Sequence, residues 1–337
     1  MVKNLVYCCV FFNINYIHLL DLLLKSVKVY STSENFDILV ITNWNFKKII
    51  DDISLSLGLK VQIFCLDFTT FFQAACARLF IFDWPEVSKY DKFLYLDTDI
   101  LIKGDITPIF ELPLKDLLYG IESGTIDSPN FGSQFFTGEK DKNTTGINSG
   151  TLLFLNSDTM KDLFFRIRCH IEKFTIEGNI PPYCMDQPFI NFHSIKDSLY
   201  DNILLVPFVS LYENSEILNY DTSLICHFSF PIGNFQHKYF RMSNFFKDRL
   251  LEKHEGSVEL NQLEGKTYSW NAGYINFSSE SLKTYWGDGN FSLLGERTLL
   301  VSWNSFQHFL KFNKDFSEYF SIRINPLDFE FASGCIM

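Results

Sequence analysis

The first hundred residues alternate compact apolar runs with stretches in which apolar residues return every three or four positions. Met1 to Phe12, Phe36 to Thr42, Lys60 to Leu66 and Lys92 to Ile102 are the runs, and each has the length of a strand. Between them, Ile17, Leu20, Leu24 and Val27 carry helical spacing through Tyr16 to Tyr30, and further helices are expected at Phe46 to Leu57 and Phe71 to Trp84. Strands separated by helices pair in parallel. The pattern therefore predicts an α/β fold: a mostly parallel sheet with helices on both faces, and binding at the carboxyl ends of the strands.

The last of these runs, Lys92-Phe93-Leu94-Tyr95-Leu96-Asp97-Thr98-Asp99-Ile100-Leu101-Ile102, carries two carboxylates two residues apart. In an extended chain such residues point to the same side, so Asp97 and Asp99 would stand together as like charges. Such a pair calls for a cation. Two hard oxygen ligands suit Mg²⁺ or Mn²⁺, which leave positions for water and substrate phosphates. The segment thus reads as a place where a phosphorylated substrate is held through a metal. The plainer reading, two aspartates capping an exposed turn, explains the apolar lead-in less well. Phosphotransferases with an aspartate nucleophile also follow an apolar strand with this spacing, but they place Thr or Val where Leu101 stands.

The formal net charge of the 337 residues is −11, which argues against nucleic acid or an anionic membrane surface as the main partner. It also makes local neutralisation necessary for an anionic substrate, because the field of the whole chain repels it. Eight cysteines fall without a regular framework and without a Cys-x-x-Cys pair, so reduced thiols in a cytoplasmic protein are expected rather than a structural zinc. The N-terminal run is too short to span a membrane and lacks a signal-peptide cleavage site, and no other transmembrane segment is expected. The sequons at Asn143, Asn276 and Asn290 would matter only in a secreted protein.

Beyond Leu118 the pattern loosens into a loop or lid at Ser123 to Gly132. Order returns at Gly146 to Asn156, a polar turn feeding an apolar strand, and a helix follows from Ser157 to Glu177 with Ser157 or Asp158 as N-cap. From about residue 255, Gly265, Gly273, Gly287, Gly289 and Gly295 separate short aromatic and β-branched runs, which predicts a small antiparallel β module. The expected domains are 1–254 and a β-rich accessory domain, 255–337.

Six segments in fixed order give the chain a family resemblance. They are Ala77-Arg78-Leu79-Phe80, the Asp97-Thr98-Asp99 run, Gly104-Asp105-Ile106-Thr107-Pro108-Ile109-Phe110, Ile147-Asn148-Ser149-Gly150, Asp186-Gln187-Pro188-Phe189-Ile190-Asn191 and Ile225-Cys226-His227-Phe228. Over residues 1 to about 250 the order resembles glycosyltransferase family 8, to which glycogenin and the bacterial lipooligosaccharide galactosyltransferases belong. The resemblance implies a GT-A fold, a UDP-sugar donor, Mn²⁺ (or Mg²⁺) and transfer with retention to a hydroxyl of a glycan or protein. By the same resemblance Asp97, Asp99 and His227 are the metal ligands. Arg78, Thr98, Asn148 and Ser149 contact the donor, Asn13 and Tyr16 form the base pocket, and Asp186 and Gln187 lie beneath the transferred sugar as the catalytic pair.

The match is imperfect after the histidine. The family's Gly-x-x-Lys-Pro-Trp run is replaced by a stretch in which Gly233 and Lys238 supply the backbone approach and the phosphate charge at altered spacing. No residue between Glu122 and Asp127 matches the family's acceptor-side carboxylate. Two alternatives accompany the main reading. One is a glycogenin-like enzyme that glycosylates its own tyrosine, with Tyr183, Tyr200 and Tyr212 in the relevant half. The other is a catalytically lapsed carbohydrate-binding protein with Trp270, Trp286 and Trp303 as a platform, against which stands the plain reading of those tryptophans as hydrophobic core. A homodimer is compatible with the sequence.

Overall fold

The computed structural model describes residues 3–31, 34–136, 143–213, 216–217, 223–229, 235–252, 262–271, 273–295 and 297–337. The chain divides into two compact units, Met1–Met242 and Ser243–Met337. In the first unit the alternation seen in the sequence becomes β1 (Asn4–Val10), α1 (Asn15–Tyr30), β2 (Asp37–Thr42), α2 (Trp44–Leu57) and β3 (Val61–Cys65). The helix expected from Phe71 to Trp84 is shorter: α3 (Phe71–Ala75) gives way to a 3₁₀ helix, Ala77–Asp83. Thr70 and Gln73 close a capping box at its start, and the tighter winding that follows turns Ala77, Arg78, Leu79 and Ile81 all inward.

The single strand expected from Lys92 to Ile102 is two strands in two sheets. β4 (Lys92–Leu96) pairs in parallel with β1, whereas β5 (Ile100–Ile102) follows after a turn and joins another sheet. The aspartates occupy the turn, because two carboxylates cannot enter a ladder buried on both faces. α4 (Thr107–Phe110), β6 (Leu118–Thr125), β7 (Thr145–Leu155), α5 (Asp158–Ile176), α6 (Gln187–Lys196), β8 (Tyr200–Asp201), β9 (Val209–Glu213), β10 (Glu216–Ile217) and β11 (Ile225–His227) complete the unit, with the first half of α7 (Phe235–Leu251). Ser157 caps α5, its Oγ accepting from Met160 N at 3.1 Å.

The main sheet has the order β3-β2-β1-β4-β7-β6-β8, parallel except where β7 runs antiparallel to β4 and β6. A smaller sheet, β10-β9-β11-β5, stands beside it. Phe93, Phe154 and Phe164 pack with Tyr7 and Tyr95 in the core of this unit. The α/β expectation holds.

The second unit runs through β12 (Thr267–Trp270), β13 (Gly273–Phe277), β14 (Leu282–Thr284), β15 (Gly287–Gly295), β16 (Thr298–Trp303), β17 (Phe306–Phe312), β18 (Glu318–Asn325) and β19 (Phe331–Cys335). Each strand pairs antiparallel with the next. The last returns to the first through a bridge between Tyr268 and Ile336, so the meander closes and leaves no long free edge. Alternate residues point inward along each strand, and Tyr268, Trp270, Phe277, Trp303 and Phe312 fill the interior.

One polar side chain locks α6 onto β7 where the β6–β7 ladder is irregular. Asn191, fully buried, accepts from Ile147 N at 2.8 Å and donates to Ile147 O and Gln187 O, both at 2.9 Å. Removing its amide leaves buried peptide groups without partners, each costing about 1–3 kcal/mol. Asn191→Ala is therefore expected to destabilise the fold by roughly 2–4 kcal/mol in urea unfolding, and a loss under about 1 kcal/mol would show that water replaces the amide.

Candidate active site

Where β4 ends, Asp97 N donates to Gly150 O at 2.8 Å, and this bond carries the chain out of the sheet into the Asp97-Thr98-Asp99 turn. The turn is gripped on its other side as well. Phe228 N donates to Asp99 O at 2.9 Å, and β11 pairs His227 with Ile100. Two strands from different sheets thus deliver Asp97, Asp99 and His227 to one point, with a ligand atom of each within 4.8 Å of the others.

This trio has the properties of a cation site. Asp99 Oδ1 is buried and accepts no hydrogen bond, although His227 Nε2 lies 3.2 Å away. A buried carboxylate oxygen left in that state needs a positive partner. Gly150 keeps the space open, since a Cβ there would stand 2.2 Å from His227 Cε1 and 2.8 Å from Asp97 Oδ2. Two carboxylates and an imidazole are a donor set that a divalent cation accepts. The residues therefore fit a metal ion.

Around this point the site is balanced by two cations. Lys238, from α7, pairs with Asp99 Oδ2. Burial alone would raise the Asp99 carboxyl, yet Lys238 and His227 hold it below the usual carboxylate range. On the other side, Arg78 is buried among three acceptors. Its Nη1 donates to Ser149 O and lies 3.3 Å from Asp97 Oδ1, and its Nε is 2.9 Å from Asp186 Oδ2. Its guanidinium lies over the Tyr95 ring, 4.5 Å from the centroid, and Tyr95 donates its hydroxyl to Asp97. The nearby surface carboxylate of Asp83 pairs with Arg168 instead.

A cavity of about 750 Å³ opens over this floor. Tyr16, Arg78, Asp97, Thr98 and Asp99 line it, with Asn148, Ser149, Gln187, His227 and Lys238. The structure thus brings together most residues singled out in the sequence. Gln187 bridges two walls, accepting from Ser149 N at 3.1 Å and donating to Asn130 O at 3.1 Å. Asn148 accepts from Gly150 N at 2.8 Å. Tyr16 packs edge-on to Phe235 at 6.5 Å.

Three residues stand elsewhere. Asp186 is wholly buried behind the cavity lining, makes no cap bond to α6 and faces Arg78, and burial pushes its carboxyl up to about 6 against the pull of that guanidinium. Asn13 is exposed outside the lining, where its Oδ1 accepts from Asn15 N at 3.0 Å as α1 begins. Gly233 lies outside the described residues. Conversely, Tyr95 and the open space at Gly150 were not singled out in the sequence. Gly150 had a signal there, a glycine where the polar turn feeds the apolar strand, which marks a close approach.

A model of the family described as Glycosyl transferase family 8 matches residues 4–193 of the chain. Solved structures similar to it include the apo form of the bifunctional glycosyltransferase WbbM, with 15% identity and a TM-score of 0.48 over 72% of this chain and 49% of that one. The apo form of the glycosyltransferase GlyE of Streptococcus pneumoniae TIGR4 has 19% identity and a TM-score of 0.44, over 72% of this chain and 60% of that one. Mouse xyloside xylosyltransferase 1, also apo, has 13% identity and a TM-score of 0.46, covering 68% of this chain and 100% of that one. This chain thus spans about half the length of the first and three fifths of the second. No curated protein matches the sequence.

The open space at Gly150 is directly testable. Gly150→Ala should lower the affinity for Mn²⁺ by about tenfold or more in calorimetric titration, with the circular dichroism of the folded protein retained. Unchanged affinity would place the cation somewhere else.

Proposed function

The chain belongs to glycosyl transferase family 8, and from that premise we propose that it is a metal-dependent retaining glycosyltransferase. It moves a hexose (glucose, galactose or N-acetylhexosamine) from a UDP-sugar to a hydroxyl of a glycan or protein. Its α/β unit is of the GT-A class, with the cavity at the carboxyl ends of β1 and β4. The observation that carries the reading is the convergence of Asp97, Asp99 and His227 between the two buried cations Arg78 and Lys238. A floor whose two carboxylates are each paired with a buried cation, and which can take a divalent ion besides, is equipped to hold a diphosphate.

Bound between these three ligands, a divalent ion such as Mn²⁺ supplies Lewis-acid neutralisation of the departing diphosphate. The chain's own groups do the rest. Arg78 and Lys238 place fixed donors where negative charge grows on the leaving oxygen. Tyr16 offers a ring face to the uracil, while Asn148 and Ser149 offer hydrogen bonds to sugar hydroxyls.

Gln187, not Asp186, is the member of the expected catalytic pair that reaches the cavity. A carboxamide cannot carry a negative charge, so it steadies the sugar by its dipole. Asp186 acts on Arg78, fixing the guanidinium that faces Asp97. The bond from the anomeric carbon to the phosphate oxygen breaks, the acceptor oxygen bonds on the same face, and its proton passes to the departing phosphate. No side-chain base is required by this route. Among the described residues no two cysteines form a disulfide, which suits a reducing compartment and is the ground for proposing a cytoplasmic enzyme. Among the described residues no helix is long and apolar enough to cross a membrane.

A second reading has one specific observation in its favour. Tyr183 lines the cavity with its side chain 61% exposed, so a phenol hydroxyl stands at the mouth of the donor site. Tyr200 is half-buried and outside the lining.

A panel of UDP-sugars scored for Mn²⁺-dependent UDP release tests the main reading. At least one donor should be turned over, and Asp97→Ala and Asp99→Ala should each lower the rate about a hundredfold or more with the fold retained. Undiminished turnover in either variant would sink the proposal. Intact mass after incubation with the accepted donor tests the second reading. Self-glycosylation adds hexose mass that Tyr183→Phe abolishes, and a mass that never changes rules it out.

A further inference from the structure

The three tryptophans noted in the second unit part company in the structure. Trp270 and Trp303 are buried in the barrel interior, whereas Trp286 is 42% exposed at the hairpin between β14 and β15. Next to it Tyr285 is 66% exposed, and Tyr274, at the start of β13, is 39% exposed. Three large rings open to water side by side are costly to leave uncovered, and here they are held in place rather than folded away.

What holds them is specific. Trp286 stacks on buried Trp303, at 6.2 Å and 14°, and Trp303 stacks in turn on buried His308, at 4.7 Å and 8°. Tyr285 meets Trp286 edge-on at 5.8 Å, and Tyr274 meets Tyr285 edge-on at 6.5 Å. Beneath them β13 begins with Gly273, where a Cβ would lie 2.8 Å from Tyr285 Cβ and 3.0 Å from Trp286 Cη2. The hairpin itself is stapled: Trp286 N donates to Thr284 Oγ1 at 3.1 Å, and Thr284 Oγ1 donates to Gly287 O at 2.8 Å. The rings are thus fixed before any partner arrives, which spares a ligand the entropy of ordering them.

In an antiparallel meander alternate turns share one end. The turns at Asn271, Tyr285-Trp286, Asn304 and 326–330 therefore lie together, and two hydrogen bonds tie them: Asn304 Nδ2 to Trp286 O at 3.3 Å and Asn325 Nδ2 to Ser305 O at 3.0 Å. Asn271 and Asn304 are exposed beside the rings, both with positive φ (44° and 51°). The charges of this end are answered locally. Arg323 pairs with Asp328 and Glu330, and Lys283 stands opposite Asp288 in the β14–β15 register. What remains for a partner is flat aromatic surface and amide groups.

We propose that Tyr274, Tyr285 and Trp286, with the amides of Asn271 and Asn304, form a non-catalytic site that binds a neutral oligosaccharide of pyranose units. A pyranose has an apolar C–H face that lies on an aromatic ring and a rim of hydroxyls that exchange hydrogen bonds with amides. A lipid tail would leave the amides without use, and an anionic glycan would find its charge unanswered. The site shares no residue with the catalytic cavity, and the proposal does not depend on the reading of that cavity.

The test uses the full chain and short, neutral glucan, galactan and mannan oligosaccharides at up to millimolar concentration, with binding read by calorimetry and tryptophan fluorescence. At least one class should bind saturably. Trp286→Ala and Tyr285→Ala should each weaken that binding about tenfold or more, while Asp97→Ala leaves it unchanged. The circular dichroism and thermal unfolding of both ring variants should match those of the unaltered chain, confirming that they fold. Absence of saturable binding by all three classes, binding indifferent to both ring substitutions, or binding lost in Asp97→Ala would overturn the proposal.

Discussion

The first unit is organised around one buried guanidinium. Arg78 sits on a 3₁₀ helix that turns it inward, and it serves two carboxylates, a peptide oxygen and a tyrosine ring at once. Taking a charge out of water costs several kcal/mol, and the geometry offsets that cost by facing Nη1 and Nε with acceptors and the guanidinium plane with a ring. Each partner is also a structural joint. Asp97 ends β4, Ser149 belongs to β7 and Asp186 precedes α6, so the ion network fixes three elements about the cavity floor.

The charge at the floor follows from this. Asp97 leans on Arg78 and Asp99 leans on Lys238, so each carboxylate already has one cation and keeps further acceptor capacity. Asp186 does not compete for a ligand, because it lies behind the cavity lining and faces Arg78, its only nearby charge of opposite sign among the described residues. A chain of net charge −11 can hold an anionic donor only where its positive groups are gathered and its negative ones engaged, and this floor meets both conditions.

Much of this was legible in the sequence because period and composition report burial. The strand-helix alternation up to Leu66 has its counterpart in the structure, with ends shifted by a residue or two, and the glycine-punctuated aromatic runs past residue 255 became the barrel. What was misread was a run whose hydrophobicity is continuous but whose pairing is not. Ile100 to Ile102 are as apolar as Phe93 to Leu96, and hydrophobicity alone does not reveal that the ladder changes sheets at Asp97. The same limit explains Asp186 and Gln187, where adjacency in sequence suggested a shared role. One turn of backbone puts the first behind the wall and the second in it. Trp286 could not be told from Trp270 and Trp303 by type, because exposure at a hairpin tip is a property of position.

The turn at Asp97 to Asp99 has a mechanical side. The large sheet contributes Asp97 through β4, while the small sheet contributes Asp99 through β5 and His227 through β11. An ion held by all three would be a rivet through the seam between two sheets, at the turn where the chain crosses from one to the other in three residues. Binding that favours the closed seam stabilises it by mass action. Rigidity of the cavity floor would then rise and fall with the supply of the ion, so that the same event that neutralises the donor also sets how firmly its walls stand.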